Sequence, residues 1–316
     1  MIFTDLINTD PMNQLFMATK LDAAPLPKVT DNVPVNFCYC DIECDYVERA
    51  FVDLSGDDTR TNDKTSFLLR KQIAGDTITF VITKAGVDVA TIVDNTYGTY
   101  YVAGDLTVPK NPDSSLYVGF IADWKAIYQA FGAGLYQIRI DTTIIGTASE
   151  YYSHRFRVSE YSDLAANGTV VISTVQNGNI ESNPLNYTGL NWPQRIRIPG
   201  ILYGKTPEFI TDNYLDGDLR KTQIQDNIVN TYTLETRLLD FSVANLLIYD
   251  LLLSNRILVT DYSILNEDVI RGAKTYNEVA LYPEEIEEPK HFSRTTKRTY
   301  SFKFVDQLQN IRKRNY

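Results

Sequence analysis

Short runs in which apolar and polar residues alternate recur along most of this chain of 316 residues. In residues 131–158 the sequence FGAGLYQIRIDTTIIGTASEYYSHRFRV places Tyr136, Ile138 and Ile140 on one face of a strand and polar residues on the other. A second alternating run, YYSHRFRV, follows after a turn. Period-two alternation is typical of half-buried antiparallel strands. The stretch therefore predicts a β-hairpin.

Similar runs predict further strands. TITFVITKAGVDVATIV has the pattern of a hairpin with Gly86 in its turn. Single strands are predicted at VNFCYCDI, SFLLRK, GTVVISTV, QRIRI, TYTLETRL, RILVTDY and RTYSFKFVDQL. We expect QRIRI to end at Pro199, because proline has no N–H for the ladder.

Two segments have helical character. In DWKAIYQAFGAG, Asp123 can cap a short helix that Gly132 or Gly134 ends. Residues 242–254, SVANLLIYDLLLS, are apolar nearly all round, so they predict a helix buried inside a domain. The expected core residues of this helix are Leu246, Leu247, Leu251 and Leu252.

These elements predict a mainly β protein with two β-sandwich-like domains, each with a short inserted helix, preceded by an extended N-terminal arm. The arm covers residues 1–34, whose four prolines and lack of period favour an extended chain that crosses another domain or another chain. The first domain covers residues 35–160. The second covers residues 161–316 and contains the buried helix near 242–254 and a basic C-terminal tail.

Composition narrows the classes of function. The net charge of −10 argues against direct nucleic-acid binding, which lysine and arginine drive. No basic stretch followed by an apolar run marks a signal peptide, and no window of about 18 apolar residues marks a membrane span. With 21 Tyr and 14 Phe the chain favours strands.

Candidate chemistry is sparse. Cys38, Cys40 and Cys44 are interpreted as small reduced core side chains, with a metal site as the alternative; zinc needs about four ligands. His154 has the pattern of a core or interface residue. No catalytic, cofactor or nucleotide-binding motif is present, so we expect no enzymatic activity, although a glycosidase carboxylate pair leaves no signature in sequence. Two acidic loops are expected to be solvated turns, or cation ligands through oxygen; they contain Asp53, Asp57, Asp58 and Asp63, and Asp212, Asp216 and Asp218.

Charge changes sign abruptly near the C-terminus. Opposite runs of this kind can pair between neighbouring copies of a chain, and a solvated surface is the alternative. The interface candidates are Glu284, Glu285, Glu287, Glu288, Lys297, Arg298, Arg312, Lys313 and Arg314.

Part of the sequence resembles virion proteins of tailed phages that infect Bacteroidetes, including components of crAss-like phage tails. The resemblance covers roughly residues 115–316 and rests on Trp124, on GAGLYQIRI and YYSHRFRV, on the block TYTLETRLLDFSVANLLIYDLLLSNRILVTDY and on the basic tail. His154 stands where that group often has an acidic residue.

The resemblance implies a structural subunit of a phage tail or neck, made in the host cytoplasm and present in the virion. Its partners would be other copies of itself in a ring and other tail, neck or portal-proximal proteins. The main alternative is a carbohydrate- or host-surface-binding β-sandwich of a phage fibre or adhesin, since tyrosine-rich surfaces suit sugar stacking. A polysaccharide hydrolase is the third hypothesis.

Overall fold

The computed structural model describes residues 21–23, 47–56, 62–70, 77–93, 117–144, 147–176, 192–215, 221–240, 243–244, 247–248, 251–263, 277–287, 290–291, 297–306 and 310–313. The fold is mainly β, as the alternating pattern predicted. The strands are β1 Leu21–Ala23, β2 Val47–Val52, β3 Lys64–Arg70, β4 Thr77–Lys84, β5 Val87–Val93, β6 Tyr117–Asp123, β7 Gly134–Ile144, β8 Thr147–Glu160, β9 Thr169–Gln176, β10 Trp192–Leu215, β11 Lys221–Thr236, β12 Arg256–Asp261, β13 Asn277–Ile286, β14 Lys290–His291, β15 Arg298–Thr299, β16 Ser301–Asp306 and β17 Asn310–Lys313. The helices are α1 Trp124–Phe131 and α2 Asp163–Ala166, and a 3₁₀ turn covers Leu251–Leu253.

Strands from the first half of the chain form a sheet in the order β1–β8–β7–β4–β5. β2 also joins this sheet and pairs in parallel with a second stretch of β8. The β4–β5 hairpin turns at Ala85 and Gly86, whose φ angles of 50° and 82° fit a turn that needs two left-handed residues. Both predicted hairpins are therefore confirmed.

The core of this unit lies between the sheet and a ribbon of β3 and β6. Phe80 of the sheet stacks on Phe120 of the ribbon with ring centroids 4.5 Å apart. Asp123 caps the start of α1 with a carboxylate that accepts two backbone N–H groups, and Gly132, with φ 78°, caps its end. The helix buries Trp124 and Ile127 in the same core, so the predicted capped helix is confirmed.

Strands from the second half of the chain close into a six-stranded barrel. Its strands are ordered β10–β9–β12–β13–β16–β11, and a further pairing of β11 with β10 completes the circle. The predicted alternation of Tyr300, Phe302 and Phe304 is confirmed, since all three side chains are buried in the barrel core. Because its strands form one closed barrel, this unit differs from the two-layered sandwich that the sequence predicted. The prediction of a mainly β class is confirmed.

The prediction that a strand ends at Pro199 is wrong. β10 continues through this residue for 24 residues in total. Up to Pro199 it pairs with β9, and from Gly200 onward it pairs with β11. Pro199 is therefore the last residue of β10 that pairs with β9 before the pairing with β11 begins. Its carbonyl accepts the N–H of Arg237 at 2.9 Å. A missing N–H costs little at this point because no strand partner requires it.

The barrel interior holds the apolar segment that was predicted as a buried helix. Residues 243–244 and 247–248 are helical, and Leu251–Leu253 form a 3₁₀ turn. Leu247, Leu251 and Leu252 are buried, as predicted, whereas Leu253 is exposed. Leu246 lies outside the described residues, as do the three cysteines and nearly all of the predicted arm.

Candidate functional site

A buried ion pair joins the two β units. The guanidinium of Arg197, on the outer face of β10, donates to both carboxylate oxygens of Asp63 at 2.9 and 3.0 Å. The side chains are only 2% and 7% exposed. Arg195, two residues earlier on the same face, contacts Asp63 Oδ1 at 2.8 Å. One carboxylate from the first unit is therefore held by two arginines from the second.

Local sequence explains how Asp63 is positioned. The residue directly precedes β3, and its backbone N–H donates to the carbonyl of Phe51 in β2 at 2.9 Å. In return the N–H of Phe51 donates to Asp63 Oδ2 at 2.7 Å. The carboxylate is thus fixed by a backbone donor as well as by the arginines, and charge-assisted bonds of this kind are the strong ones.

Aromatic rings enclose the Arg197 guanidinium. The ring centroids of Phe51 and Tyr262 lie 4.8 and 4.3 Å from its central carbon. Its remaining nitrogen donates to Thr169 Oγ1 at 2.9 Å. Burial alone would lower the pKa of Arg197, but the Asp63 carboxylate raises it and the net shift is upward. The side chain therefore stays a cation although it is buried.

A second buried carboxylate spans the same junction. Glu48 of β2 accepts the backbone N–H of Arg197 at 2.8 Å through Oε1. Its Oε2 lies 2.8 Å from Nε2 of His154 in β8. The sequence-based interpretation of His154 as a core or interface residue is confirmed by its 3% exposure and by this contact. We name the set of Glu48, Asp63, His154, Arg195 and Arg197 the ionic junction.

A cleft of about 260 Å³ opens beside the ionic junction. One wall is the β3–β6 ribbon, with Lys64, Ser66 and Ile121; the other is the outer face of the barrel. Arg195 and Arg256 are the charged residues on the barrel side of the cleft lining. Lys64 contacts Asp123 at 3.6 Å and Arg195 contacts Asp63, so two of the cations at the wall already face carboxylates of this chain.

The geometry of the ionic junction suits a mechanical role. The carboxylates of Glu48 and Asp63 in the first unit both contact Arg197 in the second, and Glu48 also contacts His154 of its own unit. Within the residues that the structure describes, no three metal-ligating side chains cluster. The same residues include no helix with both the length and the apolar character needed to cross a bilayer.

Some of the predicted interface residues contact oppositely charged residues of the same chain. Glu284 Oε2 is 3.2 Å from Lys303 Nζ, and Glu285 is opposite Lys303 in the β13–β16 register. Lys297 is 3.8 Å from Asp240. Residues 282–287 are exposed. Glu284 and Lys297 thus form ion pairs within the chain, and pairing between copies stays a prediction.

The other candidates are spread over the barrel. Arg298 forms an isolated bridge with Leu239. Arg312 and Lys313 lie on β17 opposite Asp226 and Gln225 of β11, and Glu287 donates its N–H to the carbonyl of Ser301. Glu288 and Arg314 lie outside the described residues. The seven candidates among the described residues therefore lie on or directly beside β13, β15 and β17, and no single strand holds them all.

The ionic junction itself was not predicted. Asp63 was expected in a solvated turn, and this is wrong because the carboxylate is buried against Arg197. A signal did exist in QRIRI, where Arg195 and Arg197 share a strand face that alternates with the buried Ile196 and Ile198. Two arginines at alternate positions beside a core strand indicate a partner that is itself charged.

No protein-family model matches the chain, and no curated protein matches it significantly.

Proposed function

We propose that the chain is a structural subunit of a bacteriophage tail or neck. Copies of it form a closed ring that joins neighbouring tail, neck or portal-proximal proteins. The observation that carries this proposal is a long ribbon made by the distal parts of β10 and β11. The ionic junction supports it, because a subunit that bridges neighbours must hold two units in a fixed relation.

The ribbon extends beyond the closed part of the barrel. Thr206–Leu215 pairs with Lys221–Thr231, whereas the pairing of β10 with β9 ends at Pro199 and that of β11 with β16 ends at Thr231. Ten paired residues at about 3.3 Å each give a ribbon of roughly 30 Å. β17 adds a third strand at residues 225–228 only.

An isolated two-stranded ribbon is marginally stable in water. In the described part of the chain, the outer edge of β10 beyond Thr206 has no strand beside it. A long edge of this kind is a template for another chain. We therefore expect the ribbon to lie against a neighbouring subunit in the assembled ring.

The ribbon can be tested by removing it. Residues 207–230 are replaced by Asn-Gly, which joins the register partners Thr206 and Thr231 through a favourable hairpin turn. Light scattering and electron microscopy should show rings for the parent chain and monomers for the shortened chain. Circular dichroism should show that the shortened chain is folded. As a matched control, Ala85–Gly86 of the β4–β5 turn is exchanged for Asn-Gly, which should leave rings intact.

Either of two results would overturn the proposal. A parent chain that remains monomeric across the concentration range cannot be a self-assembling ring subunit. A shortened chain that forms rings as well as the parent would show that the ribbon is not an assembly element.

Charge pairing between copies is tested separately. The combined substitutions Glu284→Lys, Glu285→Lys and Glu287→Lys should weaken assembly. Assembly of the parent should also weaken at 1 M salt, where the Debye length is about 3 Å. Each exposed pair contributes only about 0–1 kcal/mol, so repetition around a ring is needed for an effect. Lys303→Met serves as the control, because it removes the cation that contacts Glu284 within the chain. Equal assembly of all variants at low salt would contradict interchain pairing.

The carbohydrate-binding alternative has support from two exposed aromatic residues on the barrel, Tyr203 and Tyr282, at 47% and 48% exposure. Trp124, one of the two tryptophans and the stronger type of stacking platform, is fully buried and cannot contact a sugar. Retention on a glycan array that is lost in Tyr203→Ala and Tyr282→Ala would favour this alternative.

A further inference from the structure

A β-bulge divides the outer edge of β8 into two docking segments. The β7–β8 register passes from Gln137–Arg155 to Arg139–Tyr152, so two residues of β8 face Ile138 alone. The side chain of Ser153 fills the gap, since its hydroxyl accepts the N–H of Ile138 at 3.0 Å. A bulge bends its strand and increases its twist. The edge before the bulge therefore points in a direction different from the edge after it.

The two segments have different occupants. After the bulge, Arg155–Glu160 pairs in parallel with all six residues of β2, which the ionic junction fixes through Glu48. On the other side, Tyr151–Ser153, which ends at the first bulge residue, pairs antiparallel with β1, which has three residues. β1 belongs to the predicted arm, and residues 24–46 connect it to β2.

The short strand is a weak attachment on its own. Each backbone hydrogen bond makes only a small net contribution to stability, and ordering a residue costs a comparable free energy. Residues 24–46 could span up to roughly 80 Å when fully extended. The expectation from sequence for residues 1–34, which include prolines at positions 25, 27 and 34, is an extended chain.

We propose that the β8 edge at Tyr151–Ser153 receives the β1 strand of a neighbouring copy, so that each subunit of the ring is tied to the next by an exchanged arm. The exchange needs no new contact, because the same backbone pairing forms within or between identical chains. Strand addition to a free sheet edge is a common mode of recognition between chains. The inference rests on the proposed ring function.

Cysteine cross-linking tests the exchange directly. Asp22 and Tyr152 are Cα partners in the β1–β8 register, and directly opposed residues fall within the Cα separation that a disulfide accepts. Asp22→Cys and Tyr152→Cys are placed in separate chains with different tags, in a background of C38S, C40S and C44S. The two chains are co-expressed, purified and oxidised.

We expect a disulfide-linked heterodimer that appears on a non-reducing gel and disappears on reduction. Replacing Tyr152→Cys by Glu150→Cys, on the same strand but out of register with Asp22, should reduce the yield at least tenfold. A chain with both D22C and Y152C should give covalent ladders up to the ring size.

Failure of this inference can be told from failure of the proposed function. If the double variant forms rings but gives only disulfides within single chains, and the mixed chains give no heterodimer, the arm is not exchanged and this inference is wrong. If the parent chain forms no ring and the mixed chains remain unlinked, the ring function and the exchange are both overturned.

Discussion

Replacing Arg197 by methionine tests whether the ionic junction holds the two β units together. Methionine keeps the apolar stem between Phe51 and Tyr262 but leaves Asp63, which is only 7% exposed, without its bidentate partner. Removing one partner of a buried ion pair typically costs about 3–5 kcal/mol. Arg195 remains 2.8 Å from the carboxylate, so we expect the low end, about 3 kcal/mol. That loss is large against a total stability of roughly 5–15 kcal/mol.

The assay is urea unfolding followed by two probes. Tryptophan fluorescence in a Trp192→Phe background reports Trp124, which lies in the core of the first unit, and far-ultraviolet circular dichroism reports both units. The two transitions should coincide in the parent chain. In Arg197→Met they should separate, because the units no longer stabilise each other.

A double-mutant cycle and a surface control make the test specific. Asp63→Asn keeps an acceptor for the N–H of Phe51, and its coupling to Arg197→Met should be about 2–3 kcal/mol. Lys303→Met breaks the exposed pair with Glu284, whose side chain is 46% exposed, and should cost no more than about 1 kcal/mol. If Arg197→Met costs no more than Lys303→Met and the two probes still coincide, the ionic junction does not couple the units.

Three further predictions concern stability. Gly200→Ala should cost about 1–3 kcal/mol in urea unfolding, because a Cβ there would lie 2.8 Å from a backbone carbonyl of β11. Gly204→Ala should be nearly neutral, since a Cβ there would meet nothing within 4 Å, and equal costs for the two variants would contradict this. Leu247→Ala should cost about 2–5 kcal/mol and Leu253→Ala far less, since only Leu247 is buried, and a reversed order would mean that the apolar segment does not fill the barrel. Burial raises the pKa of Tyr262 more than the nearby Arg197 lowers it. The contribution of Tyr262 to stability is therefore complete below the unfolded-state pKa of about 10 and is lost as pH rises further. In thermal unfolding, Tyr262→Phe should lose less stability above pH 10 than the parent chain does, and parallel curves would refute the assignment.

Local sequence signals were sufficient for most individual strands. Period-two runs located both hairpins of the first unit and the buried face of Tyr300, Phe302 and Phe304, because each run has one face in a core. The cap of α1 was predictable for the same local reason, as Asp123 needs only the N–H groups of the next residues.

Long-range pairing could not be predicted in this way. Barrel closure depends on β10 pairing with β9 on one side of Pro199 and with β11 on the other, and neither partner is visible in the residues around Pro199. Asp63 and Arg197 are 134 residues apart, so a carboxylate in a polar loop gave no indication of burial. Without that partner, solvation was the reasonable expectation for Asp63.

The way the barrel closes also governs when the protein can become folded during its synthesis. β11 needs β16 as a neighbour, and β16 supplies Phe302 and Phe304 to the interior. Until residue 306 has left the ribosome, the barrel around the apolar segment at Leu247 lacks β16, and strands made earlier have unpaired edges. Pairings this distant in sequence form slowly, because the entropy of closing the loop is lost before the contacts are gained. The strands of the first unit are complete by residue 160, whereas the barrel must wait for β16, and the nascent chain is most exposed to aggregation during that interval.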